Sequence, residues 1–343
     1  MKVAMYYNNS DVRLQELPRP KAGKGEILVK IMASGICGSD TMEWYRIKKA
    51  PLVLGHEVAG VIEEVGEGVQ KFKVGDRVCV THHVPCNTCS YCLTGHHTVC
   101  ETLRQTNYDP GGFSEYVRLP SLNVDRGTFL LPDHMSFEEG SFIEPLATVI
   151  HAQRLARLRP GQTVLVVGSG NAGIQHIQLA RALGAGPVFA TDIAEYRLKA
   201  AERFGAGHAI NANQDVPAEV RKLNGGKGAD LVLVCTGAIS AAVQSVQSVE
   251  KGGTVVFFAV PPPGTDLPLP LNEIWTKEIT LMTTYGGPPQ DMLTALELIR
   301  TKRVRVADLI THRLPLEQTG EGFRLTSEAK ECLKVMILPH GKG

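Results

Sequence analysis

Short apolar runs broken by glycine, proline and polar residues fill the chain up to about residue 150: ILVKIMASGIC, EVAGVIEEVG, DRVCV and GFSEYVRLP. Runs of this length bounded by turn formers read as strands, so residues 1–150 are predicted to form a compact β-rich domain. From residue 163 the rhythm changes. TVLVVG leads into helical AGIQHIQLARALG, VFATD into AEYRLKAAERFG, and DLVLVC into ISAAVQSVQSVE, with TVVFFAV after them. Alternation of buried strands with amphipathic helices predicts βαβ units and a parallel, doubly wound sheet. The proline-rich stretch PPPGTDLPLP at 261–270 precedes ITLMTTY, read as that sheet's last strand. Beyond residue 289 an amphipathic helix, DMLTALELIRT, gives way to shorter β-like pieces such as KVMIL, expected to return to the first domain.

A length of 343 residues exceeds one ordinary core and supports a two-domain α/β chain. Lysine plus arginine (36) nearly cancels aspartate plus glutamate (35), which leaves no electrostatic footprint for nucleic acid or anionic lipid and favours a small-molecule partner. The opening MKVAMYYNNSDV turns polar within eight residues, and no run reaches the length of a membrane span, so a soluble, cytoplasmic protein is expected. In such a reducing compartment the eight cysteines point to metal binding or catalysis rather than to disulfides.

Gly168, Gly170 and Gly173 form GSGNAG between the strand TVLVVG and a helical pattern. In that context the first glycine permits a tight turn, the second lets backbone approach a pyrophosphate, and the third lets helix and strand pack closely. Asp192 ends the next strand, 19 residues after Gly173. A carboxylate there hydrogen-bonds ribose hydroxyls and repels a 2′-phosphate, which favours NAD over NADP. It also suits a helix cap before AEYRLKAAERF. Arg197 is a candidate for the adenosine side, or an exposed helix arginine.

Cys86, Cys89, Cys92 and Cys100 give CxxCxxC and a fourth cysteine after seven residues, which suits a closed, structural tetrahedral Zn–S4 site. Two disulfides or an iron–sulfur cluster are the alternatives. The neighbouring His82, His83, His96 and His97 are read as exposed loop histidines. Three further candidate ligands lie far apart: Cys37 in GICGSD, His56 in GHE and Glu144 in EPLAT. A catalytic zinc takes three protein ligands from such separate segments and leaves one position open. Taken singly, Cys37 suits a small buried hydrophobe, His56 a core histidine, Glu57 a salt-bridge partner and Glu144 a helix cap.

The whole pattern decides between these. GHE, two residues, Gly60, five residues, Gly66, two residues, Val69, five residues and GDRV at 75–78 strongly resembles the zinc-containing alcohol dehydrogenase signature of the medium-chain dehydrogenase/reductase family. CGSD, the four-cysteine lobe, EPL and GSGNAG follow the same order, so the resemblance spans essentially the whole chain. EPLATVIHA is similar to the sorbitol (polyol) and threonine dehydrogenase branches.

That resemblance implies a GroES-like catalytic domain at 1–150, completed by 288–343, around a Rossmann domain at 151–287, in a homotetramer or homodimer. It implies one catalytic and one structural zinc per chain, with Cys37, His56 and Glu57 or Glu144 as catalytic ligands. Around NAD it adds Ala172, Asp192, Arg197 and the loops near Val260 and Tyr285. The implied reaction is hydride transfer from a polyol-like secondary alcohol to NAD; the alternatives are a threonine-type amino alcohol, a cyclic or acyl-carrying alcohol, and a non-catalytic NAD-binding protein. Ser39 resembles the hydroxyl that takes the alcohol's proton. Three residues on, where many relatives carry a relay histidine, stands Met42, which carries no proton. Glu43 or water is the expected substitute, and Glu43 and Trp44 are candidate substrate contacts.

Overall fold

The computed structural model describes residues 1–341. The chain divides into two units, one of Met1–Thr148 with Gly286–Gly343 and one of Val149–Tyr285.

In the first unit the strand Ile27–Gly35 is the hub of a seven-stranded sheet. It pairs antiparallel with Glu57–Val65, Tyr116–Leu119 and Lys334–Leu338. Alternate positions Ile27, Val29 and Ile31 turn inward onto Val58, Ile62, Val78, Val80, Val117 and Leu119, as the two-residue period of a strand requires. Gly60 lets the hub and its neighbour approach, since a Cβ there would lie 2.1 Å from the Lys30 carbonyl oxygen. The register opposes Gly35 to Glu57. Two segments distant in sequence, Gly35–Cys37 and His56–Glu57, therefore meet at one end of the sheet. A second core mixes both ends of the chain: Val3, Tyr6, Ile36 and Phe113 pack with Leu316, Phe323, Val335 and Ile337.

The second unit is a six-stranded, wholly parallel sheet in the order His208–Asn211, Val188–Asp192, Val164–Val167, Ala229–Val234, Val249–Phe257, Thr280–Thr283. Every residue of Val164–Val167 and Val188–Asp192 is buried, which explains their unbroken apolar text. The strand order reverses between Val164–Val167 and Ala229–Val234, and ligands of such sheets bind beyond the strand ends at that switch point. GSGNAG sits there. The predicted last strand is realised as Thr280–Thr283 at the sheet edge. Among the described residues no helix is long and apolar enough to cross a membrane.

Candidate metal centre and dinucleotide cradle

Ligand atoms of Cys37, His56 and Glu57 lie within 4.8 Å of one another, a group able to hold one ion. The residues after the hub strand turn sharply through the short helix Gly38–Thr41, where Asp40 closes the turn by accepting from the Cys37 amide at 3.1 Å. Asp40 is fully buried, and its Oδ1 stands 3.3 Å from His56 Nδ1. A carboxylate on one ring nitrogen fixes the orientation of the imidazole and leaves Nε2 for a metal. Burial alone would lower the His56 pKa, but the facing Asp40 carboxylate holds it well above the ordinary value. Burial opposes ionisation of Asp40 as well, and the charges of His56 and Arg46 reverse the effect, holding it below its usual range.

Only one oxygen of Glu57 has a partner. Its Oε2 accepts from Lys334 Nζ across a pair of side chains each 1% exposed, while Oε1 is buried with no hydrogen-bond partner. An orphaned carboxylate oxygen beside a thiol and an imidazole fits a ligand set for a cation. Gly35 makes room for this pair, because a Cβ there would lie 2.1 Å from Glu57 Oε2. Glu144, buried near the start of the helix Ile143–Leu155, falls outside the three-residue ligand group. Burial pushes its carboxyl up to about 7, with His56 and Glu57 among the charges acting on it.

Ser39 Oγ lies 3.3 Å from Cys37 Sγ. Glu43 is occupied elsewhere: its carboxylate accepts from the Asn9 amide at 2.9 Å. The expectation of exposed loop histidines holds at His96, but His97 is half-buried and the expectation fails outright at His82 and His83. Both are half-buried, with ring centroids 3.6 Å apart, and His82 lies 4.9 Å from the His56 ring, so they belong to the surroundings of the centre. Sequence reasoning also missed Asp40, Arg46 and Lys334; for Asp40 alone a signal existed, the acid of CGSD.

The four lobe cysteines form a second group whose sulfurs all lie within 4.8 Å. Cys89 to Cys92 and Cys100 to Cys86 both measure 3.6 Å, and Cys86 to Cys92 is 4.0 Å. A tetrahedron with Zn–S bonds of about 2.3 Å has edges of about 3.8 Å, so the spacing fits a single ion. All four thiols are free, which removes the disulfide alternative. Amides of Thr88 and Cys89 point at Cys86 Sγ and hold this thiol well below its ordinary pKa, towards the thiolate a metal needs.

In the second unit Gly168 takes φ +93, a conformation that favours glycine, and a Cβ on Gly173 would lie 2.0 Å from the Gly168 carbonyl oxygen. The helix Asn171–Ala182 thus starts hard against the strand end, with Ala172 in its first turn, and the first amides of a helix have no acceptor within it. Asp192 accepts from the Ser169 amide at 2.9 Å and from the Ala194 amide at 3.0 Å; the cap reading fails, because the helix Glu195–Arg203 begins from Ala194 with no side-chain cap and Asp192 closes only the turn before it. Arg197 Nη1 approaches Asp192 Oδ2 at 3.9 Å, and its guanidinium lies 3.7 Å from where a Gly170 Cβ would be. Val260 and Tyr285 are exposed.

A discontinuous β-rich unit carrying two thiol-containing ligand groups, joined to a parallel sheet with a glycine-rich switch point, defines a metal-dependent dehydrogenase of the medium-chain type. Residues 23–127 match the alcohol dehydrogenase GroES-like domain and residues 172–301 the zinc-binding dehydrogenase domain. The chain is 34% identical to sorbitol dehydrogenase of Bacillus subtilis (strain 168), covering 99% of this chain and 98% of the relative. It is 34% identical to L-threonine 3-dehydrogenase of the same organism, covering 95% and 94%. A zinc-binding dehydrogenase of Sinorhizobium meliloti 1021 bound to NADP superposes with a TM-score of 0.88 at 26% identity, covering 98% and 99%. The chain belongs to the zinc-binding alcohol dehydrogenase family.

Proposed function

We propose that this protein oxidises a polyol-like secondary alcohol to the ketone with NAD as acceptor, using one catalytic and one structural zinc. The observation that carries this reading is the convergence of Cys37, His56 and the orphaned Oε1 of Glu57, backed by Asp40 and Lys334. Cys37, His56 and Glu57 hold the catalytic zinc, and Cys86, Cys89, Cys92 and Cys100 the structural one. Zinc supplies a Lewis acid that lowers the pKa of a bound hydroxyl, and the nicotinamide supplies the hydride acceptor. Asp40 fixes the His56 ring, and Lys334 steadies Glu57 from behind. Ser39 is the hydroxyl placed to take the alcohol's proton. Glu144 remains buried beside the centre as a carboxyl that burial keeps readily protonated, a partner for water rather than a direct ligand. Glu43, engaged with Asn9, is assigned to holding its loop, and proton exit past Met42 falls to water.

Gly168, Gly170, Ala172 and Gly173 cradle the pyrophosphate, with Val260 and Tyr285 on the rims. Asp192, whose carboxylate ends the second strand, supports NAD over NADP through its repulsion of a 2′-phosphate. The polyol class rests on the similarity to sorbitol dehydrogenase, and threonine is the second reading on the similarity to L-threonine 3-dehydrogenase. The same reading carries a homotetramer or homodimer.

The test combines metal analysis with a turnover screen over sugar alcohols, short secondary alcohols and threonine, with NAD and NADP. About two zincs per chain, falling to one in Cys92→Ser, and NAD-linked turnover of a polyol are expected. A single zinc confined to the four-cysteine lobe, with no turnover, would leave a non-catalytic dinucleotide-binding protein.

A further inference from the structure

We propose that Arg46 is a positioning residue that sets the direction of the Ser39 hydroxyl and, through it, the hydrogen bonding of Cys37. This rests on the reading of Cys37 as a zinc ligand and Ser39 as the group that meets the alcohol. Arg46 ends the short helix Glu43–Arg46, and its side chain, only 17% exposed, doubles back over the preceding turn. Nε donates to the Ser39 carbonyl oxygen at 3.0 Å and Nη2 donates to Ser39 Oγ at 3.1 Å, with Asp40 Oδ1 at 3.5 Å. The guanidinium lies 4.8 Å from the Tyr45 ring centre, which supports its plane from one side.

A guanidinium has donors only and keeps its charge. It therefore occupies an acceptor position on Ser39 Oγ and obliges that hydroxyl to send its own proton elsewhere. The acceptor in reach is Cys37 Sγ at 3.3 Å. In the resting site this gives a chain of donation from Arg46 to Ser39 to the thiolate, with one position on Oγ left for an alcohol; when Oγ takes the alcohol's proton, the hydroxyl releases its own from Cys37 to water. Arg46 cannot itself pass a proton on, so its part is to fix geometry and to keep a positive charge beside the reacting oxygen. Met42, at the start of this helix, offers no competing partner for the hydroxyl.

The experiment is a double-mutant cycle on the zinc-loaded protein with Arg46→Met, Arg46→Lys, Ser39→Ala and Ser39→Ala/Arg46→Met. A lost charge-assisted hydrogen bond predicts a roughly 10- to 100-fold fall in kcat for Arg46→Met with KM within about threefold, and partial rescue in Arg46→Lys. In the Ser39→Ala background the same change should cost no more than about twofold, since the two residues act as one unit. Independently of turnover, a hybrid with zinc in the cysteine lobe and Co2+ at the other centre reports the Cys37 thiolate-to-metal absorption band. That band should move in Arg46→Met in the same direction as in Ser39→Ala. Multiplicative kinetic losses, or an unmoved band, overturn the proposal. If the parent protein turns over no alcohol with either dinucleotide, the proposed function fails, and the cobalt band still decides the Arg46 contact.

Discussion

Replacing Lys334 with methionine removes the ammonium that faces Glu57 across a pair of side chains each 1% exposed. Glu57 Oε1 already lacks a partner, so the change strands a buried carboxylate and takes from the Ile36 carbonyl its 3.0 Å donor. Breaking a buried ion pair from one side costs about 3–5 kcal/mol. The metal-free protein should show most of this, because the one cation left near Glu57, the His56 imidazolium, is already engaged by Asp40; zinc on the other face of Glu57 should offset a larger part. Trp44 and Trp275 are the only tryptophans, one in each unit. In a Trp275→Phe background, Trp44 fluorescence during a urea titration therefore reports on the unit containing the pair. With a slope of about 2 kcal/mol per M, the metal-free midpoint should fall by roughly 1.5–2.5 M. Lys334→Met/Glu57→Gln should recover to within about 1 kcal/mol of the parent, since it removes both charges. A metal-free single variant within about 1 kcal/mol of the parent would refute the argument that Lys334 neutralises Glu57.

Two further outcomes follow from the second unit. Gly173→Ala puts a methyl carbon 2.0 Å from the Gly168 carbonyl oxygen, so strand end and helix must separate; NADH affinity, measured by fluorescence titration, should drop more than about tenfold. An affinity within twofold of the parent speaks against the cradle. His176 is fully buried with Nε2 unpartnered, and burial pushes its pKa down to about 3. As pH falls below about 6.5 the unfolded chain takes up the proton first, so the stability this group contributes is complete above that value and lost beneath it. Between pH 7 and pH 5 the parent should lose about 2 kcal/mol more than His176→Gln in denaturant titrations, and parallel pH profiles would count against it.

What was legible in the sequence is what local chemistry specifies. Val164–Val167 and Val188–Asp192 read as parallel strands because both faces are buried, leaving no polar alternation. The lobe cysteines and GSGNAG were legible because their partners lie within a few residues. The centre at Cys37 was legible only in part. Which acid meets Cys37 and His56 depends on the register opposing Gly35 to Glu57, a pairing no local pattern announces. KVMIL was readable as a strand, but nothing in it marks Lys334 as buried; a lysine so placed is normally solvated, and only the pairing of its strand with Ile27–Gly35 reveals its partner. His82 and His83 misled for the complementary reason, since polar neighbours suggested a surface that the packing against His56 removes.

The pairing of Glu57 with Lys334 also imposes an order in time. The two residues are 277 positions apart, and the whole of the second unit is encoded between them. A ribosome adding about 5–20 residues per second delivers Lys334 roughly 14–55 s after Glu57. Throughout that interval Cys37, His56 and Glu57 are already in the chain, but the ammonium that faces the carboxylate in the finished fold is not. The charge balance of the centre is therefore completed only when the last strand of the chain takes its place beside the hub strand.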